Sequence, residues 1–96
     1  MVEIKWSQNA LKDVDSIAEF IALDSYHYAK IQVKRFFEKV EILKQYPQIG
    51  RVVPEKNDPN IRELILGNYR IIYKIISEKQ IDIITIHHSK RLLRNI

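Results

Sequence analysis

The chain lacks cysteine and contains only two glycines and three prolines among its 96 residues. Without cysteine, neither a disulfide nor a thiolate metal site can form, so the core alone must stabilise the fold. Two glycines are too few for the glycine-rich loops of Walker-type or dinucleotide-binding enzymes.

Long apolar segments are also missing from the sequence. No apolar run approaches the roughly 20 residues that cross a bilayer. Charged Glu3 and Lys5 stand where a signal peptide needs apolar residues. We therefore expect a cytoplasmic protein with no membrane contact.

The charge of the chain is modest but unevenly placed. Hydrophobic residues make up 46% and charged residues 29%, as in a folded protein, and the length suits one domain over residues 1–96. Residues 1–46 hold seven Lys/Arg and seven Asp/Glu, whereas residues 47–96 hold nine and five, so the whole net charge of +4 lies in the second half. A basic half favours an anionic partner such as nucleic acid or an acidic peptide. An excess of this size also serves solubility alone.

The first half of the chain predicts a strand and two helices. Val2 to Trp6 alternates as a short strand does, and Ser7 can cap the helix that follows. Apolar residues then recur at spacings of three and four, first from Ala10 to Ala22 and again within about Tyr26 to Gln45. The link between these stretches is short, which predicts an antiparallel helical hairpin. The charged residues between the apolar positions, Asp13 among them, are expected to face solvent.

The second half predicts a loop, three strands and a tail. Turn-forming and charged residues over 51–60 indicate a loop. Strands are predicted at Ile61–Leu66, Tyr69–Ile76 and Ile81–His87, with Gly67-Asn68 as the first turn. Residues 88–96 are basic and could form a short helix. The predicted order β-α-α-β-β-β describes an α+β domain, in which the hairpin covers one face of a small antiparallel sheet of about four strands. The other face would be partly open.

Candidate functional residues gather at one end of the predicted meander. Arg70 begins the central strand, and His87 and His88 end the last, so antiparallel pairing should bring Arg70 near a histidine. The basic residues could bind a nucleic acid or another target, and a histidine could transfer a proton. The candidates for target binding are Arg51, Arg62, Arg70, Lys90, Arg91 and Arg94. The candidates for catalysis, should the chain be an enzyme, are Arg70, His87, His88 and Arg91.

A purely structural interpretation of the same residues is equally available. Arg62, Glu63 and Arg70 could form cross-strand ion pairs, and the two histidines could simply end a strand. No metal or cofactor is expected, because adjacent strand residues such as His87 and His88 point to opposite faces.

The order of these segments resembles the RelE/ParE toxin superfamily. The resemblance rests on Ile61-Arg62-Glu63-Leu64 and on Gly67-Asn68-Tyr69-Arg70-Ile71-Ile72-Tyr73. Pro47-Gln48-Ile49-Gly50-Arg51 precedes them, Ile86-His87-His88 with Arg91 follows, and the start of the chain from Ile4 also fits. The family fold, a helical hairpin on a small antiparallel sheet, agrees with the arrangement expected from the residues. The resemblance further implies an antitoxin encoded beside the toxin, whose C-terminal segment wraps and blocks it.

The resemblance leaves the target of the toxin open. RelE-like members cut mRNA in the ribosome, whereas ParE-like members, some known as plasmid stabilisation proteins, poison DNA gyrase and cut no RNA. The pattern Gly50-Arg51, Ile61-Arg62-Glu63-Leu64 and Gly67-Asn68-Tyr69-Arg70 resembles the ParE-like members more. The ribonuclease branch places lysines on the strand before the central arginine, where the nearby positions here are Ile61 and Glu63, and this departure counts against cleavage. Arg70 matches the phosphate-binding arginine of the ribonucleases, and His87 or His88 falls near their catalytic residues, although no tyrosine follows His88. An inactive relative that only binds the antitoxin is the third alternative.

Overall fold

A computed structural model describes residues 1–89 of the chain. Strand β1 (Glu3–Trp6) leads into helices α1 (Gln8–Ala22) and α2 (Tyr26–Val40). Strands β2 (Arg51–Val52), β3 (Ile61–Leu66), β4 (Tyr69–Ser77) and β5 (Gln80–His88) follow. This order confirms the predicted α+β class with a helical hairpin on a small sheet. Neither helix is long and apolar enough to span a bilayer.

The boundaries of the two helices follow local chemistry. Ser7 and Ser25 cap α1 and α2, with each hydroxyl accepting a hydrogen bond from the backbone amide three residues later. The second helix ends earlier than predicted, because a 3₁₀ turn over Glu41–Lys44 tightens its last turn.

The sheet has five strands in the order β1-β5-β4-β3-β2, rather than about four. The additional strand is β2, two residues at the start of the predicted loop, where Arg51 pairs with Glu63 and Val52 with Arg62. β1 runs parallel to β5, and the other neighbouring strands are antiparallel. The two-residue turn at Gly67-Asn68 is confirmed, and Gly67 adopts φ 57°, a conformation that glycine tolerates without strain.

The core lies between the helical hairpin and one face of the sheet. Its members come from both helices, from the 3₁₀ turn and from β3, β4 and β5: Ala10, Val14, Phe36, Val40, Leu43, Leu64, Ile71, Tyr73, Ile81, Ile83 and Ile86. Because side chains alternate along a strand, the neighbours of these positions on β3 and β4 face the other way. We call that second side of the sheet the outer face. It is not bare, since Val53, in the segment after β2, covers Ile72 and both side chains are fully buried.

A carboxylate joins α1 to the sheet where β1 ends. Among residues 1–89, no strand continues the parallel pairing with β5 beyond Trp6, and the Asp13 carboxylate lies at that edge instead. It accepts hydrogen bonds from the Ile86 backbone amide at 2.9 Å and from the Thr85 hydroxyl at 2.5 Å. The expectation that Asp13 faces solvent is therefore wrong, because a free strand edge needs an acceptor and the helix supplies one.

Candidate functional site

The outer face brings Arg70 and its neighbours together through strand register. Arg70 pairs with Ile65 on β3 and with His87 on β5, so these three side chains share a face. Glu63, two positions along β3 from Ile65, lies on the same face and pairs with Arg51 on β2. The expected proximity of Arg70 to a histidine is thus present in the register of the sheet.

Two carboxylates engage the Arg70 guanidinium. Its Nε lies 2.6 Å from Glu63 Oε1. Its two terminal nitrogens lie 2.8 and 3.0 Å from the two oxygens of Glu55, a bidentate pairing. The Arg70 side chain is 6% exposed and that of Glu63 is fully buried. The hydrogen bonds that Arg70 donates to Glu55 are the largest cause that raises the pKa of Arg70, the interactions with Glu63 raise it further, and burial opposes both.

Glu63 binds a second arginine as well. Its Oε2 accepts from Nε of Arg51, whose side chain is 65% exposed. Buried Glu63 thus bridges a buried guanidinium and an exposed one. The cluster of Arg51, Arg70, Glu55 and Glu63 holds two positive and two negative charges, so its formal charge is zero. A buried ion without a partner in this place would be strongly destabilising, and pairing with opposite charges offsets the cost of desolvation.

The two candidate histidines point in different directions. His87 pairs with Arg70 on the outer face, whereas His88 pairs with Tyr69. Tyr69 packs edge-on against Phe36 of α2, and its ring centroid is 6.1 Å from that of His88. Of the two, only His87 shares a face with Arg70.

Arg62 forms hydrogen bonds with two loop segments at the edge of the sheet. It pairs with Tyr73, on the side of the sheet that faces the helices. Its guanidinium donates to the carbonyl oxygens of Pro59, Gln48 and Gly50 at 2.9, 3.2 and 2.9 Å. These bonds join the segment before β2 to the segment before β3, so the structure gives Arg62 a role in positioning loops.

The remaining basic candidates, Lys90, Arg91 and Arg94, lie outside the described residues. Their charge still matters for the balance of the molecule. Residues 47–89 hold six Lys/Arg and five Asp/Glu, a difference of +1, so the other three charges of the net +4 belong to residues 90–96. Within residues 1–89, no group of three or more potential metal-ligating side chains is present.

Sequence reasoning missed Glu55 and gave Glu63 only the role of an ion-pair partner. A two-residue turn at Gly67-Asn68 fixes the register of β3 and β4, and that register already places Glu63 on the same face as Arg70. No comparable signal exists for Glu55. Its carboxylate reaches Arg70 from an irregular segment, where residue spacing does not predict direction.

Comparisons with known proteins agree with the fold. The family described as the ParE toxin of the type II toxin–antitoxin system parDE matches residues 4–93. A putative toxin, Y4kP of Sinorhizobium fredii (strain NBRC 101917 / NGR234), is 33% identical over 88 residues, 90% of this chain and 86% of that protein.

Two further relatives cover almost the whole chain. Toxin RelE2 of Caulobacter vibrioides (strain ATCC 19089 / CIP 103742 / CB 15) is 26% identical over 92 residues, which are 96% of this chain and all of that one. A solved structure described as a chromosomal ParDE TA system from P. aeruginosa superimposes with a TM-score of 0.77 at 26% identity. The match covers 94% of this chain and 98% of the other.

Proposed function

The chain belongs to the ParE toxin family of type II toxin–antitoxin systems, and from that premise we propose that it acts in the cytoplasm on DNA gyrase and cleaves no RNA. Membership of the family also supports a cognate antitoxin as its partner. The choice of gyrase over mRNA depends on the chemistry of the outer face.

The pairing of Arg70 with two carboxylates is the observation that carries the proposal. A ribonuclease must stabilise the negative charge that develops on a phosphate, and it does so with positive or hydrogen-donating groups aimed at the reacting atoms. Here Glu55 holds both terminal nitrogens of Arg70, and Glu63 holds Nε. A phosphate approaching this guanidinium would meet two carboxylates first. Arg70 therefore serves the fold of the outer face.

The neighbouring positions on β3 support the same conclusion. The ribonuclease branch of the superfamily carries lysines on the strand before the central arginine, and the nearby positions in this chain are Ile61 and Glu63. Ile61 packs against the buried pair Val53 and Ile72, and Glu63 is itself buried. These side chains provide no cation for a scissile phosphate.

A ribosome-dependent endoribonuclease remains the second candidate, because His87 pairs with Arg70 across β4 and β5. In that case Arg70 would bind the scissile phosphate after Glu55 withdrew, and His87 would transfer a proton. The similarity of the chain to a protein named Toxin RelE2 also favours this second candidate.

A pair of assays on the same preparation separates the two candidates. We expect the purified chain to block supercoiling of relaxed plasmid by gyrase, or to trap cleaved DNA, and the antitoxin to reverse this effect. Translating ribosomes exposed to the same protein should show no new mRNA ends by primer extension.

The opposite pattern would overturn the proposal: new mRNA ends with supercoiling intact. Because Arg70→Ala could unfold the outer face, His87→Gln is the better second variant for that outcome. If the chain is a ribonuclease and His87 transfers a proton, this substitution should abolish RNA cleavage. If the chain inhibits gyrase, the same substitution should leave that inhibition unchanged. Overexpression that is harmless without antitoxin, together with negative results in both assays, would indicate a module that only binds the antitoxin.

A further inference from the structure

Strand β1 forms one edge of the sheet, and its outward backbone groups have no strand partner among residues 1–89. Glu3 donates its amide to the Lys79 carbonyl, and Ser7 donates to that of Ile83, so the odd-numbered residues bond inward to β5. The amides and carbonyls of Ile4 and Trp6 therefore point outward. On this side the Val2 amide meets the Lys44 carbonyl at 3.5 Å, a long contact at the limit of a hydrogen bond.

The side chains that β1 carries on the outer face are Glu3 and Lys5, both exposed. They stand on either side of Ile4 and have opposite charges. An antiparallel copy of the same strand, related by a two-fold axis at Ile4, would place Glu3 opposite Lys5 of the second copy and Lys5 opposite its Glu3. A two-fold contact of this kind requires a surface that is complementary to itself, and the segment Glu3–Lys5 is self-complementary in charge.

The charges further inside the sheet favour the same register. Lys74 on β4 pairs with Asp82 on β5, and Asp82 pairs with Lys5 on β1. This row alternates positive, negative and positive, and it stops at Lys5. Glu3 of a second copy would continue the alternation across the edge, and opposite charges at cross-strand positions stabilise a sheet. The antiparallel registers centred on Glu3 or on Lys5 also use the outward groups, but they would place two glutamates or two lysines face to face.

We propose that the free toxin forms a two-fold dimer by antiparallel pairing of β1 with β1 of a second copy, which joins two five-stranded sheets into one. The occupant of the edge is thus a second copy of this chain, held by backbone hydrogen bonds centred on Ile4 and by two symmetric Glu3–Lys5 pairs. Pairing at the far ends of the strand replaces the long Val2–Lys44 contact. The proposal does not depend on the target of the toxin.

Two charge reversals test the dimer through a complementary pair of variants. In a homodimer of the Glu3→Lys variant, the introduced lysine lies opposite Lys5, and in one of the Lys5→Glu variant the introduced glutamate lies opposite Glu3. Each reversal turns two attractions into two repulsions, so each variant should dissociate at least about tenfold more readily than the unmodified chain. In a mixture of the two variants, both cross-strand pairs join opposite charges again, so the mixture should form a heterodimer.

The measurement is the mass in solution by sedimentation equilibrium over a series up to hundreds of micromolar, on full-length chain freed of antitoxin. We expect the unmodified chain to rise from 11.5 kDa towards twice that mass. Glu19→Lys changes the net charge equally on an exposed position of α1 and should leave the dimer intact. A monomeric unmodified chain, a Glu3→Lys variant that dimerises like it, or variants that do not associate on mixing would each overturn the proposal. Circular dichroism confirms that the variants are folded.

Discussion

At Gly50 two groups of the sheet converge on the backbone and leave no room for a side chain. A Cβ built there would lie 2.6 Å from the Glu63 carbonyl oxygen and 2.6 Å from the Tyr73 hydroxyl. That hydroxyl accepts from the Gly50 amide at 3.0 Å and donates to the Pro47 carbonyl at 2.8 Å. Tyr73 is fully buried, and burial is the largest cause that raises its pKa. Its hydroxyl is thus fixed between two backbone groups and cannot move away.

We predict that Gly50→Ala lowers the free energy of unfolding by about 1–3 kcal/mol, the usual cost of an overpacked position. Urea denaturation followed by circular dichroism gives the value. The matched control is Gly67→Asn, because a Cβ at Gly67 meets nothing within 4 Å and asparagine tolerates a positive φ. If both substitutions proved equally harmless, the close approach at Gly50 would not limit stability.

The residues of the outer face show how far sequence reasoning reaches. The proximity of Arg70 to the end of β5 follows from strand order and an antiparallel turn, both visible in the sequence. The choice of His87 over His88 needs the register of β4 and β5, which includes irregularities after Ile72 and Ile75. The contact of Glu55 with Arg70 could not be predicted from the sequence, because the position of Glu55 depends on the packing of nearby Val53 against Ile72, which is distant in the chain. Regular spacing thus predicts partners within strands, and long-range packing decides the others.

At the scale of elements, periodicity predicted both helices and the three strands of the meander. It did not predict β2, because two residues are too few to show alternation. Nor did it predict the attachment of α1 to β5 through Asp13, since a charged residue in a helix ordinarily faces water. That attachment matters because β5 extends past the end of β1 and would otherwise leave a backbone amide without an acceptor.

We predict that Asp13→Ala lowers the free energy of unfolding by about 2–3 kcal/mol, because it removes charge-assisted acceptors from the Ile86 amide and the Thr85 hydroxyl. Chemical denaturation measures the change, and faster amide exchange at Ile86 should accompany it. Asp15→Ala, at an exposed position of the same helix, should change the free energy by less than about 0.5 kcal/mol. Equal effects of the two substitutions would mean that the loss of helix charge, rather than of the Asp13 contacts, is responsible.

At the scale of the whole molecule, the placement of charge distinguishes residues 90–96 from the rest. Residues 1–46 are balanced and residues 47–89 carry a net charge of +1, so the other three net positive charges belong to Lys90, Arg91 and Arg94. Charge concentrated in one segment accelerates encounter with an anionic partner more than it strengthens the final complex. An acidic antitoxin segment would be such a partner.

We predict that replacing Lys90, Arg91 and Arg94 together with glutamine slows association with the antitoxin about tenfold at low salt, while dissociation changes little. Stopped-flow fluorescence at two salt concentrations measures both rates, and high salt should remove most of the difference because it screens the charges of the unmodified segment.

The control is a triple variant in which glutamine replaces Lys12, Lys34 and Lys39. It lowers the net charge by the same amount, but on the helices. Equal slowing by both triples would show that total charge steers the encounter. Faster dissociation in the first triple alone would instead indicate direct contacts between these three side chains and the bound antitoxin.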